Sequence, residues 1–329
     1  MQSSSTSSSE PARRGDLLLL AAIALALLLA EVFYNLLWRG QLAEHQRSYD
    51  DGVALLGSGR CSVVALGDSH ADGVFRAQEA LEVGGICNGA FFSEGLSDVA
   101  IKADILAGLP AASRPRHVLF EVDPQIFSPH RDVANNRLRW LGTAPPASLS
   151  REYGLNLSWP SRFVYRHYPL ASLNNRSKAL LVATERYLLR TASAVGVDGS
   201  SEGWTKLSEA QRTRQAQDRV ASHFPERQCV SPAQLAAADR ALAALHGAGI
   251  RVTLVHYPIA PEYARLIPHA CIERLDRWVQ DALSSSRAAA FLDARGWLTD
   301  PADLANADHV ARSAAPRVRQ RILDLLPPR

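Results

Sequence analysis

The chain has 329 residues with a net charge of +3, 47% hydrophobic and 21% charged residues. That length accommodates one large α/β domain with appendages, and that composition excludes a disordered polymer. Of 36 basic residues only Lys102, Lys178 and Lys206 are lysine, and no basic block stands out, so nucleic acid is not an expected partner.

Residues 1–16 open Ser-rich and polar and close on Arg13-Arg14, which reads as a disordered cytoplasmic tail. Residues 17–38 are apolar apart from Glu31 and Asn35, and as a helix they would run about 33 Å, the thickness of a bilayer's hydrocarbon core. Phe33, Tyr34 and Trp38 stand at one end like an interfacial belt, and the preceding arginines favour a cytoplasmic N-terminus. A single-pass anchor is expected, in a bacterial inner membrane, with the rest of the chain in the periplasm. A cleaved signal peptide is the competing reading, although Leu28-Leu29-Ala30 is a poor cleavage site. Residues 39–59 read as a linker.

The remainder, 60–329, alternates strand and helix. Short runs at 61–66 (apolar and β-branched), 85–90, 117–122, 250–256 and 289–292 predict strands. Helical patterns at 71–81, 96–109, 231–246, 271–284 and 311–326 separate or follow them. This order predicts a three-layer α/β/α fold with a parallel sheet and right-handed crossovers. Residues from about 129 to 228 break the rhythm and read as an insertion or lid over the sheet edge. They carry Trp140, Tyr153, Trp159, Phe163, Tyr165 and Tyr168, and an amphipathic helix is expected at 177–194. Four cysteines lack C-x-x-C spacing, which argues against zinc. Cys61 opens a core strand and reads as a buried free thiol; Cys229 and Cys271 are the better candidates for a disulfide in an oxidising compartment.

The chemistry concentrates at Gly67-Asp68-Ser69-His70, on the turn between the first strand and its helix. Such a turn lies at the carboxyl edge of a parallel sheet, where open α/β folds place their ligands. Ser69 is the candidate nucleophile. His309 is the candidate base, because it sits in the loop between the last strand and the final helix, at the same edge. Asp308 and Asn306 flank it and can set its tautomer. Asp68 is a possible supporting residue. His70 reads as structural or as a pocket wall, and His256-Tyr257-Pro258 as a packed strand terminus.

Gly67-Asp68-Ser69-His70, Asn88-Gly89 and Asn306-Ala307-Asp308-His309 together resemble the SGNH (GDSL) hydrolase superfamily. More narrowly they are similar to membrane-anchored exported relatives of the AlgJ and AlgX kind and to acyltransferase-associated SGNH domains. The resemblance implies an SGNH or flavodoxin-like sheet with Ser69 as nucleophile, His309 as base and Gly89 or Asn88 as the second oxyanion donor. Two departures stand out. Asn306 occupies the position three before the histidine where the family carries Asp, leaving Asp308 to substitute for it. The Gly-x-Asn-Asp block is absent, with Glu121-Val122-Asp123-Pro124 near its place.

The implied activity is a serine acyl-esterase or O-acetyltransferase acting on an envelope or secreted polysaccharide, with no cofactor or metal. A multipass membrane acyltransferase is the implied partner in the transferase case. The alternative is a catalytically degenerate domain that binds glycan or scaffolds an envelope assembly.

Overall fold

The computed structural model describes residues 18–33 (except 20 and 24), 49–76, 82–83, 85–132 and 202–326. By contacts the chain divides into two units, Met1–Gln46 with Asn156–Arg190, and Arg47–Leu155 with Thr191–Arg329. The expected tail at 1–16, the aromatic cluster from Trp140 to Tyr168 and the helix at 177–194 lie outside the described residues.

In the first unit the described residues between 18 and 33 are helical, and Leu18, Leu19, Ile23, Leu25, Leu27, Leu28, Leu29, Val32 and Phe33 are exposed. Among the described residues no helix is long and apolar enough to cross a membrane.

The second unit is an α/β fold around a six-stranded sheet. The strands are β1 (Val63–Leu66), β2 (Glu82–Val83), β3 (Ile86–Asn88), β4 (His117–Glu121), β5 (Arg251–His256) and β6 (Ala290–Asp293), in the order β2-β3-β1-β4-β5-β6. Five strands are parallel; β2 alone runs antiparallel, against β3. The sequence predicts one strand at 85–90. The chain instead pairs β2 antiparallel with β3 there, with Gly85 at φ +80° just before β3.

Side chains alternate between the faces, so each strand feeds two cores. Val64, Leu66, Val118, Phe120, Val252 and Leu254 join one core with helices α2 (Leu96–Ala107), α5 (Pro232–Gly247) and α7 (His269–Ser284). Ala65, Leu119 and Val255 join the other with α1 (Ser69–Phe75), α6 (Pro261–Ala264) and α8 (Ala315–Asp324), and with residues from α3 (Glu202–Thr205) and α4 (Glu209–His223). Both faces are therefore dry, which is why the strand sequences read as continuous apolar runs.

Residues 49–57 are helical and bury Tyr49, Val53, Leu55 and Leu56, so the domain begins before residue 60 and the expected linker is partly core. Leu55 and Leu56 pack beneath the sheet and Tyr49 and Val53 against Phe91 and Ile101.

Cys61 is not a free thiol. It is bonded to Cys87, whose strand β3 lies beside β1, with 5.6 Å between the α-carbons. The expected partners Cys229 and Cys271 form the second disulfide. The bridged cysteines are 26 and 42 residues apart, so each closes a loop worth about 3–4 kcal/mol of unfolded-chain entropy. Reductant is expected to lower the melting temperature markedly, and a non-reducing peptide map to recover Cys61 with Cys87 and Cys229 with Cys271. Cross-paired or free cysteines in the folded protein would contradict this arrangement.

Candidate active site

The strand order reverses around β1: the chain moves outward from β1 to β3, then returns to add β4 on the other side. The carboxyl ends of β1 and β4 thus open a crevice at a topological switch point, the usual ligand position of open α/β sheets. Four side-chain sources meet there.

The first source is the turn from β1 into α1. Asp68 caps the helix, its Oδ1 accepting the His70 N–H at 3.0 Å. Glu121, the last residue of β4, reaches beneath the turn, where its Oε2 accepts the Asp68 N–H at 2.7 Å and the Ala71 N–H at 3.2 Å. Gly67 is required by that approach, since a β-carbon there would lie 2.3 Å from Glu121 Oε2. The nucleophile turn is therefore built on a side chain from the neighbouring strand.

The second source is the loop before α8. His309 Nε2 accepts a hydrogen bond from Ser69 Oγ at 2.9 Å, across 240 residues of sequence. His309 Nδ1 faces Asp308 Oδ1 and Asn306 Oδ1, each at 3.0 Å, and donates to both. Asn306 Oδ1 also accepts the Asp308 N–H at 3.0 Å, which fixes the loop. Ser69 is 7% exposed and the His309 side chain 15%, whereas Asp308 is 1% exposed, so the Ser69–His309 pair is more open to solvent than the carboxylate behind it.

The third source is α4, within the expected insertion. Ser208 caps it in a capping box with Gln211, and its buried side places Arg219 and His223 one turn apart. Arg219 Nε donates to Asp308 Oδ2 at 2.9 Å. His223 Nδ1 accepts from the Tyr263 hydroxyl at 2.6 Å, while its Nε2 lies 3.8 Å from Asp308 Oδ2. Gln215, Asp218, Arg219 and Ser222 line one wall of a cleft of about 320 Å³, with Asn306, Ala307 and Asp308 opposite. The described part of the expected insertion thus supplies a side chain to Asp308.

The fourth source is the end of β4. Asp123 Oδ2 accepts from His70 Nδ1 at 2.7 Å, and Oδ1 accepts from His256 Nδ1 at 3.1 Å and the Tyr257 N–H at 3.0 Å. The other nitrogen of His70 lies 3.3 Å from Asp308 Oδ2. Arg131 pairs with Asp68.

These buried charges set one another's protonation. Burial opposes ionisation of Asp308, but the charges of His309 and Arg219 and the hydrogen bonds from His309 and His70 hold its carboxyl well below the usual range. Burial likewise opposes a charged His70, yet the hydrogen bonds to Asp123 and Asp308 raise its pKa well above that of an ordinary imidazole. Burial and the nearby Asp68 and Asp123 carboxylates push Glu121 well up, so it holds a proton more readily than the aspartates around it. Burial keeps His223 neutral, well below the usual value.

The oxyanion expectation requires correction. The single N–H of Gly89 is bound to Ala65 O at 2.8 Å, continuing the β1–β3 ladder, and has no proton left to offer. The Asn88 amide donates to Asp72 Oδ1 at 2.6 Å and accepts the Ala90 N–H at 3.0 Å, building the turn after β3. Lys102 holds the Gly89 carbonyl from α2 at 2.5 Å. Among the described residues the Ser69 N–H makes no hydrogen bond and remains the available donor.

Ser69, His309, Asp308, Asn306 and Asp68 are thus brought together; the one N–H of Gly89 serves the sheet instead, and Asn88 gives one of its two amide protons to Asp72. Asp123, Glu121, Arg131, Arg219 and His223 escape sequence reasoning. A signal existed for two of them, since Glu121 and Asp123 end an otherwise apolar strand at the functional edge. Arg219 carries none, being one arginine among many in a polar helix. His256 is a packed strand terminus as expected, but one that orients Asp123.

His70, Asp308 and His309, and likewise Asp68, His70 and Glu121, are close enough to resemble metal-ligand sets. In the first, Arg219 already sits on the carboxylate, and in the second Glu121 Oε2 already accepts two backbone N–H groups.

No protein-family model matches the chain, and no curated protein matches it.

Two outcomes test the site. Asp308→Ala is expected to lower the reaction rate of Ser69 with a serine-directed probe by roughly 10³–10⁴, and Asn306→Ala by far less, because only the carboxylate stabilises the imidazolium. Equal losses would assign the two residues equal roles. Glu121 holds its proton more tightly folded than unfolded, so it adds stability that is complete below its unfolded pKa near 4.5 and is lost as pH rises through the elevated folded value. Glu121→Gln is expected to keep both backbone hydrogen bonds and to flatten the fall in melting temperature between pH 6 and 9; an unchanged slope would refute a protonated Glu121.

Proposed function

We propose that this protein is a serine acyl-esterase or O-acyltransferase of the SGNH kind, with a three-layer, flavodoxin-like domain. The observation that carries the reading is the 2.9 Å contact of Ser69 Oγ with His309 Nε2, while His309 Nδ1 is held by Asp308 and Asn306. A serine hydroxyl needs such a base to become nucleophilic near neutral pH.

In the forward step Ser69 Oγ bonds to the acyl carbonyl carbon as His309 Nε2 takes its proton. The tetrahedral oxyanion faces the Ser69 N–H. Collapse breaks the bond to the alcohol oxygen, which leaves with the proton from His309. Water or a second hydroxyl, deprotonated by His309, then attacks the acyl-serine and frees Ser69. Asp308 stabilises the imidazolium in both halves and keeps its own charge.

The substrate we propose is an acylated polysaccharide of the cell envelope or outside it. The cleft between α4 and the loop before α8, bordered by Gln215, Asp218, Ser222 and Asn306, lies beside the site and offers hydrogen-bonding groups to a hydroxyl-bearing substrate. Two disulfides support an oxidising compartment. The apolar run at 17–38, with its exposed leucines between 18 and 29, supports a membrane anchor with the domain in the periplasm. A multipass acyltransferase is the proposed partner if the acyl group is transferred rather than hydrolysed. The engagement of Gly89 and Asn88 within the sheet favours a second reading, a domain that binds glycan without turnover.

Treating the full chain in detergent with a fluorophosphonate is expected to modify Ser69, located by peptide mass spectrometry, and His309→Ala is expected to abolish the adduct. A folded parent that takes no label would favour the non-catalytic reading, and label retained in His309→Ala would remove His309 as the base.

A further inference from the structure

Behind the serine and its base the buried polar groups continue in a line: Asp308, His70, Asp123 and His256, each in contact with the next at 3.3, 2.7 and 3.1 Å. A serine–histidine–carboxylate triad needs only the first of these. The others are sealed from solvent, at 0–3% exposure, and a buried array of this kind is costly unless it has a role.

Asp308 has to present Oδ1 to His309 Nδ1 from a loop, and its free Oδ2 decides its rotation. Two cations compete for that oxygen. Arg219 comes from α4, and its side chain is 39% exposed. His70 is 2% exposed, is anchored on its other nitrogen by Asp123, and is the chain neighbour of Ser69. One peptide unit therefore sets both the nucleophile and the group behind the base's carboxylate. The rings of His70 and His309 also pack edge to face, with centroids 5.0 Å apart, so the base has little freedom to turn.

Resting on the reading of Ser69 and His309 as nucleophile and base, we infer that His70 is a positioning residue, a buried imidazolium clamped between Asp123 and Asp308 that orients the Asp308 carboxylate toward His309 and offsets part of its charge. A neutral imidazole could not donate to both carboxylates, and the elevated pKa of His70 agrees with the geometry. The titratable groups facing His70 are Asp68 from the turn before α1, Glu121 and Asp123 from β4 and its end, and Asp308 and His309 from the loop before α8; the Gln125 side-chain amide also lies 3.1 Å from its Nδ1. Arg131 and Arg219 stand behind Asp68 and Asp308. The aspartates Asp68, Asp123 and Asp308 each pair with a cationic side chain there, among Arg131, His70 and Arg219.

The charge has a kinetic consequence. A cation close to Asp308 and His309 disfavours protonation of His309, and its loss favours the imidazolium, which cannot accept the serine proton. The test is the rate of fluorophosphonate labelling of Ser69 from pH 5 to 10, with melting temperatures, for the full chain in detergent and for His70→Asn. Labelling in His70→Asn is expected to fall at least about tenfold at pH 7, with its pH midpoint moved upward by about one unit. A lower melting temperature with an unmoved midpoint and an unchanged rate plateau would make His70 structural only and overturn the inference.

If His70→Asn does not fold, nitrogen-15 spectra of the histidine-labelled parent decide. One imidazole is expected to stay doubly protonated at pH 9, and ten neutral imidazoles would overturn the inference. A parent that takes no label would sink the hydrolase reading, while the same spectra would still show whether His70 is the held cation.

Discussion

The structure depends on keeping Asp308 ionised away from water. A carboxylate at 1% exposure is tolerated only where hydrogen-bond donors and opposite charge replace its hydration, and Asp308 collects them from three separated stretches: His309 beside it, Arg219 from α4 and His70 from α1. Those contacts tie the first helix of the domain, a helix from the insertion and the final loop to one side chain. The serine is served by the result, because a base whose far nitrogen faces a fixed carboxylate has one tautomer and one orientation.

The same logic applies one strand away. Glu121 and Asp123 stand at the end of β4 and look to opposite tasks. Glu121 holds the Gly67-Asp68 turn from below, whereas Asp123 holds His70 and His256. Two buried acids two residues apart are pushed in opposite directions, Glu121 up by burial and its carboxylate neighbours and Asp123 down, against burial, by its imidazole partners. The turn geometry, the nucleophile's position and the charge behind the base are thus all set from β4.

The sheet makes this economy feasible. Parallel pairing of β1 with both β3 and β4 brings the carboxyl ends of β1 and β4 together, and the reversal of strand order leaves a crevice where the returning loops converge. The cost falls on β3. Its terminal Asn88-Gly89 continues the ladder and turns the chain, so the Gly89 N–H and one Asn88 amide proton serve the sheet and its turn.

Sequence alone determined what depends on local pattern. Apolar runs located the parallel strands to within a few residues, Ser231-Pro232 marked the start of α5, and Gly-Asp-Ser at a strand end and Asn-Ala-Asp-His before the last helix picked out Ser69, His309 and Asp308, side chains that the fold brings into contact. Tertiary structure alone decided the rest, because it turns on which distant groups share a small dry volume. The pairing of Cys61 with Cys87 follows from β3 lying beside β1, and the loss of Gly89 as a donor follows from the same ladder. That His70 clamps Asp308, that Arg219 joins it from a polar helix, and that Glu121 is pushed toward its protonated form are properties of an enclosed set of charges, and no local pattern encodes which charges will be enclosed together.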